Sequence, residues 1–245
     1  ENFLTDKHDQ FLAMMHGQVR ELLTRYGKID IMWFDLGGMV DEDGSRSCDP
    51  AIWDAESLIN TVHELQPEAV VNNRTCLDGD FGTPEQRIGT FQSDPAWETC
   101  MTIGRQWAWK PKDEIKPLIQ CLHTLIRAAG GDGNLLFNVG PMPDGRIEPR
   151  QVERLSEMGS WLENYGKTIY GTRGGPYKPT DWGVSTRKGN KIFVHILNWF
   201  GDSPALRLPL NGVKIRDISL LTKAFLPKKI KGKDLLLSKP FPARQ

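Results

Sequence analysis

The sequence carries no excess of either charge. Its 31 basic residues meet 31 acidic ones, so no net field draws the chain to nucleic acid or to an anionic membrane, and a neutral ligand or a local site is the expectation. Long apolar runs are missing too: no stretch approaches the roughly 20 residues of a bilayer-spanning helix. Residues Glu1 to Asp9 show no basic start followed by an apolar leader, although a chain that begins with Glu1 rather than Met leaves room for an upstream part. Cysteine is scarce. Cys48, Cys76, Cys100 and Cys121 include no C-x-x-C pair, which excludes a zinc knuckle and a thioredoxin-like centre and leaves mostly buried thiols as the expectation. What is present, 39% hydrophobic and 25% charged residues, is the composition of an ordinary globular chain and excludes disordered and fibrous classes.

Apolar residues at Phe11, Met15, Val19, Leu22 and Tyr26 recur at helical spacing, which predicts a helix over roughly 7–26 ended by Gly27. Ile29 to Phe34 is too short for a second helix and almost wholly apolar, as a strand buried on both faces would be; it stops at Asp35 and Gly37-Gly38. The pattern then repeats. A helix carrying Leu58, Ile59, Val62 and Leu65 halts before Pro67 and precedes a short strand at residues 69–73, and a third apolar segment runs from Trp97 to Ile103. Between them, residues 75–96 read as a long loop, which in a compact domain is usually functional. A helix from Ile115 to Ala129, a strand at Leu135 to Val139 and a helix from Val152 to Tyr165 complete the alternation, which predicts four parallel strands. After Gly171 the grammar changes to short β-rich segments, Lys191–Asn198, Ala205–Leu210, Ile215–Thr222 and Asp234–Leu237, with no helix between them. The expected domains are residues 1–172 and 173–245. About 170 residues are too few for eight strand-helix units, so the first domain is either an open sheet or the second half of a barrel. The β domain, whose end from Ser238 to Gln245 reads as loop, is expected to lack a closing strand.

Asp35 follows a buried strand at the end where active sites of parallel α/β proteins collect, yet a turn or capping aspartate fits that position as well. Asp78, Asp80 and Glu85 lie in the long loop, which Gly79, Gly82 and Pro84 bend tightly. Two carboxyl groups over a barrel mouth are the minimum apparatus for cleaving a glycosidic bond. Spacing alone does not bring them together.

Five motifs in order carry a resemblance: Ile31-Met32-Trp33-Phe34-Asp35-Leu36-Gly37, Val71-Asn72-Asn73-Arg74, Gly79-Asp80-Phe81-Gly82-Thr83-Pro84-Glu85-Gln86, Trp97-Glu98-Thr99-Cys100, and Gly133 to Pro141 in the run G-N-L-L-F-N-V-G-P. Together they resemble the retaining α-L-fucosidases of glycoside hydrolase family 29, from about residue 7 into the early β domain. The resemblance implies an α/β fold, the second half of an irregular (β/α)8-like TIM barrel followed by a small antiparallel β-sandwich. It implies removal of terminal α-L-fucose from a fucosylated oligosaccharide or glycoconjugate by double displacement, with no metal, cofactor, nucleic acid or membrane involved, and an extracellular, periplasmic or lysosomal setting. Asp35 matches the nucleophile and Glu85 the acid/base, with Asp80 as the nearest substitute for the latter and Glu98 a further candidate that reads rather as a structural carboxylate beside the site. Trp33, Arg74 and Trp107 match sugar-binding positions; core packing for Trp33 and a structural ion pair for Arg74 are the plainer alternatives. Histidines and further site residues that the family carries on its early strands have no counterpart before residue 29, so this stretch by itself is expected to form an incomplete pocket.

Other features carry less. Asp41 to Ser45 lacks the ligand series of a calcium loop, Gly130 to Gly133 precedes a strand where a phosphate loop would follow one, and His8, His16, His63, Cys121 and His123 do not pair as metal ligands. The lysines at 228, 229, 231 and 233 read as a solvated charge run. A silent sugar-binding module, or a hydrolase for another sugar such as galactose, are the competing functions; retention of both Asp35 and Glu85 argues against the first.

Overall fold

A helix, a two-residue strand, a helix and a second two-residue strand open the computed structural model, which describes residues 7–36, 39–40, 46–199, 205–210, 214–222, 228–231 and 234–238. The chain divides into two compact units, residues 1–85 with 94–100 and residues 86–93 with 101–245.

In the first unit, α1 (His8–Arg25) precedes β1 (Ile31–Met32), a small antiparallel pair β2 (Met39–Val40) and β3 (Arg46–Ser47), a 3-10 turn at Pro50–Trp53, α2 (Ala55–Leu65) and β4 (Val70–Val71). Strands β1 and β4 pair in parallel, Ile31 with Val70 and Met32 with Val71, as the helix-strand alternation predicts. Val19 and Leu23 of α1 are buried against Leu58 and Val62 of α2, with Phe34, Ala69 and Val71 beneath. This i, i+4 stripe is narrower than the sequence pattern: Phe11, Leu22 and Tyr26 stay exposed, because one helix contact buries one row of side chains. Gln66 ties α1 down, its amide donating to Leu23 O and Gly27 O while its oxygen accepts from Ile29 N. The long loop holds β5 (Phe81–Gly82), which pairs in parallel with the start of β6 (Ala96–Thr102). Residues 75–96 are therefore partly sheet, their two-residue strand being too short to leave a periodic signal. Cys48 and Cys76 form a disulfide, and only Cys100 and Cys121 are free, buried thiols. The expectation of buried thiols holds for two of the four; a pair separated by 28 positions has no local spacing to betray it.

In the second unit, α3 (Leu118–Gly130), β7 (Asn134–Asn138) and α4 (Pro149–Tyr165) match the sequence pattern, with Cys121, Leu122 and Met158 as their shared core. An antiparallel ladder follows, β8 (Arg173–Gly174), β9 (Gly183–Lys188) and β10 (Lys191–Ile196), in the order β10-β9-β8. Lys188 faces Lys191 across a two-residue turn whose Gly189 sits at φ 58, a conformation glycine adopts without strain. A second ladder runs β11-β13-β12, from β11 (Ala205–Pro209), β12 (Lys228–Lys231) and β13 (Asp234–Ser238). Residues 215–222 form no strand, contrary to expectation, and the lysine run supplies β12 instead. The Gly37-Gly38 turn, the acidic loop 41–45, Lys233 and the terminal loop after Ser238 lie outside the described residues. Among the described residues no helix is long and apolar enough to cross a membrane.

Candidate active site

The first unit brings Asp35, Arg74 and Glu85 together. Asp35 stands three residues past β1, Arg74 three past β4, and Glu85 three past β5, so the ends of three short strands deliver three charged side chains to one place. Arg74 Nη1 donates to Asp35 Oδ1 at 3.0 Å, and Arg74 Nη2 lies 2.9 Å from Glu85 Oε2. One guanidinium thus spans both carboxylates. Its side chain is 20% exposed, that of Asp35 72% and that of Glu85 44%, so the cation is sheltered while the carboxylates face solvent.

Other donors of Arg74 are engaged as well. Nε donates to Thr83 Oγ1 at 2.9 Å, and Nη2 reaches Thr83 O at 3.3 Å and Cys100 Sγ at 3.2 Å. The guanidinium carbon lies 4.9 Å from the centre of the Trp33 ring. Trp33, expected either to face a sugar or to pack in the core, gives one face to this cation. Burial, the largest influence on Arg74, works against its charge, but Asp35, Cys100 and Glu85 outweigh it and its pKa lies above the ordinary arginine value. Burial pushes the Cys100 thiol up, with Arg74 opposing, so the sulfur meets the guanidinium as a neutral acceptor at neutral pH.

Glu98, on the same face of β6 as Cys100, is half-buried, and that burial pushes its carboxyl above the usual carboxylate range. The indole N–H of Trp33 is itself buried and reaches no acceptor within hydrogen-bond geometry, though its polarity favours the charged form of Glu98 and offsets part of the rise. Asp80 is committed elsewhere: its carboxylate accepts from Val71 N at 2.7 Å, while Asp80 N donates to Val71 O at 2.8 Å. Gly79 makes this possible, since a Cβ there would meet the backbone of Asn72 at 2.5 Å.

Three residues that sequence reasoning left without a role hold the strand ends. Asn72, fully buried, donates through Nδ2 to Phe34 O and accepts through Oδ1 from Phe34 N, both at 2.8 Å. Its amide replaces a peptide group and extends the β1–β4 pairing to the residue before Asp35. Asn73 Oδ1 accepts from both the backbone N–H and the hydroxyl of Thr83, at 3.1 and 2.9 Å. The only sequence hint was two asparagines ending a strand with no turn signal behind them. Among the described residues no group of three or more His, Cys, Asp or Glu offers a metal site.

A family model described as Alpha-L-fucosidase matches residues 1–167. The chain belongs to the α-L-fucosidase family. Alpha-L-fucosidase isoenzyme 1 from Paenibacillus thiaminolyticus is 30% identical and superimposes with a TM-score of 0.80 over 100% of this chain and 60% of that one. A Thermotoga maritima alpha-fucosidase, solved with a mechanism based inhibitor, is 29% identical with a TM-score of 0.69, covering 94% and 53% of the two chains. The plasma alpha-L-fucosidase of Rattus norvegicus is 27% identical over 218 residues, 80% of this chain and 46% of the rat protein. The chain therefore spans about half the length of the curated relatives it matches. The family match covers Asp35, Arg74, Glu85 and Glu98 alike. Trp107, the remaining sugar-binding expectation, belongs to the second unit, where the residue is 41% exposed and its carbonyl accepts from Asn138 Nδ2 at 2.9 Å.

Proposed function

We propose that the protein of which this chain is part is a retaining exo-α-L-fucosidase acting on terminal α-L-fucose of an oligosaccharide or glycoconjugate. The observation that carries this reading is the single guanidinium of Arg74 joining Asp35 to Glu85. A retaining glycosidase needs two carboxyl groups close together, about 5 Å apart, one to attack and one to shuttle a proton. Asp35 is the nucleophile: a carboxylate oxygen attacks the anomeric carbon as the bond to the glycosidic oxygen breaks, and Glu85, protonated for this step, gives that oxygen its proton. Glu85 then takes a proton from water, whose oxygen displaces Asp35 and releases fucose with its original configuration. Arg74 holds the nucleophile and hydrogen-bonds sugar hydroxyls, and Trp33 offers an apolar ring to the C–H surface of the 6-deoxy sugar. The Thermotoga relative, solved with a mechanism based inhibitor, supports a reaction of this kind.

A second assignment of the proton donor has its own support. Burial raises the carboxyl of Glu98 toward the protonated state a general acid needs, whereas Asp80 is spent on the Val71 backbone.

Residues 1–172 are the second half of an irregular β/α barrel and residues 173–245 a β-sandwich; the parallel pairs β1–β4 and β5–β6 and the antiparallel ladders after Arg173 support this division. The Cys48–Cys76 disulfide and a relative from plasma support an extracellular, periplasmic or lysosomal setting.

The test is hydrolysis of 4-nitrophenyl α-L-fucoside by the full-length protein and its Asp35→Ala variant. Activity lost in the variant and partly restored by azide, with an inverted fucosyl azide as product, is the expected result; a well-folded protein without activity, or an unaffected variant, overturns the reading. Glu85→Gln and Glu98→Gln separate the two proton donors: the true one slows substrates with poor leaving groups by about 10²–10⁴-fold more than its counterpart does.

A further inference from the structure

Arginine side chains rotate about four single bonds, so a guanidinium flanked by two carboxylates tends to swing fully onto one of them. In this site it does not. Arg74 Nη1 serves Asp35 and Nη2 serves Glu85, and what keeps the fork centred lies on its third edge, where Nε donates to Thr83 Oγ1 at 2.9 Å.

The polarity of that contact is forced. The backbone N–H of Thr83 can only donate, so the Asn73 atom it meets at 3.1 Å is the amide oxygen. That oxygen can only accept, so the Thr83 hydroxyl, 2.9 Å away, must spend its proton there. Its lone pair is then left facing Arg74 Nε, which can only donate. A relay from Arg74 through Thr83 to Asn73 results, with one arrangement of protons. The carbonyl of Thr83 takes a share of Nη2 as well, at 3.3 Å, and Glu85 follows Thr83 by two residues, so a single backbone turn both grips the fork and presents the second carboxylate to it.

We propose that Thr83 is a positioning residue of the fucosidase site, its hydroxyl, oriented by Asn73, fixing the plane of the Arg74 guanidinium between Asp35 and Glu85. This inference rests on the functional reading above, and its test is built so that the two fail separately.

Thr83→Val keeps the shape and β-branching and removes the hydroxyl; Thr83→Ser keeps the hydroxyl and removes the methyl group. In the full-length protein, Thr83→Val lowers kcat on 4-nitrophenyl α-L-fucoside by about ten- to a hundredfold, the worth of one hydrogen bond to a charged group. Thr83→Ser restores kcat to within about threefold of wild type with its thermal midpoint unchanged, and Thr83→Val keeps a cooperative thermal transition. Unchanged kcat in Thr83→Val overturns the proposal, as does equal loss in both variants accompanied by lowered thermal midpoints, the behaviour of a merely structural residue.

A second readout needs no turnover. The Nε–H of Arg74, followed by 15N-resolved NMR, is protected from exchange in wild type and Thr83→Ser and exposed in Thr83→Val. If the full-length protein hydrolyses no fucoside but this pattern holds, the anchor stands and only the fucosidase reading falls. An Nε–H already unprotected in wild type overturns the anchor whatever the activity.

Discussion

Removing the Cys48–Cys76 bond is expected to weaken the first unit by a calculable amount. The two cysteines are 28 residues apart, and the chain between them contains α2, β4 and Arg74. Closing a loop of that length removes conformational freedom from the unfolded chain worth about 3.5 kcal/mol at room temperature. With a urea dependence of about 2 kcal/mol per M, the midpoint of unfolding falls by about 1.5–2 M in the Cys48→Ser/Cys76→Ser double variant. Trp33, Trp53 and Trp97 all belong to this unit and report its unfolding by fluorescence. Wild type reduced with dithiothreitol should match the variant, which separates the cross-link from any effect of serine. If oxidised, reduced and mutant proteins unfold at the same urea concentration, the loop-entropy argument is wrong for this bond.

Two further perturbations act in the second unit. Burial holds the His195 imidazole at a pKa of about 4, with the Thr168 backbone opposing, against an unfolded value near 6.5. The neutral ring stabilises fully above pH 6.5; as pH falls toward 4 the unfolded chain takes up a proton that the folded one refuses, and about 3 kcal/mol is lost. Urea midpoints at pH 7 and 4.5 should therefore drop further in wild type than in His195→Gln, and parallel drops would refute this. Among the glycines, Gly183 has φ 151 and a Cβ there would collide with the carbonyl oxygen of His195, whereas nothing lies within 4 Å of a Cβ at Gly189. Gly183→Ala should cost about 2–3 kcal/mol and Gly189→Asn less than about 0.5 kcal/mol, both read as shifts in the thermal midpoint; equal effects would contradict the packing argument.

The four helices among the described residues were legible in the sequence because each buries one stripe, and Leu58 with Val62, or Leu122 with Ile126, mark those stripes at the right interval. Strand β9 was not, since Ser185 and Thr186 are buried polar residues that break the apolar alternation. Each finds its partner within the fold: Ser185 Oγ donates to Tyr177 O, and Thr186 Oγ1 to Thr168 O. Residues 215–222 look β-prone, yet Leu220 and Leu221 stay exposed and the ladder takes the lysine-rich segment instead. At the site, Asp35, Arg74 and Glu85 could each be singled out by position at a strand end. Their meeting could not, because it depends on β1, β4 and β5 lying side by side and on Asn73 and Thr83 aiming a side chain between them.

The amide of Asn72 has a consequence for anyone who diversifies this protein. It reads the N–H and C=O of position 34, groups that every residue except proline supplies, so the contact makes no demand on the side chain there. Position 34 answers only to the volume of the core, where Phe34 is 6% exposed. Position 72 has no such freedom: aspartate lacks the donor, alanine lacks both groups, and glutamine carries them one methylene too far. A randomised library spanning both positions should return several bulky apolar residues at 34 and asparagine almost alone at 72, an asymmetry in information content between two partners of the same pair of hydrogen bonds.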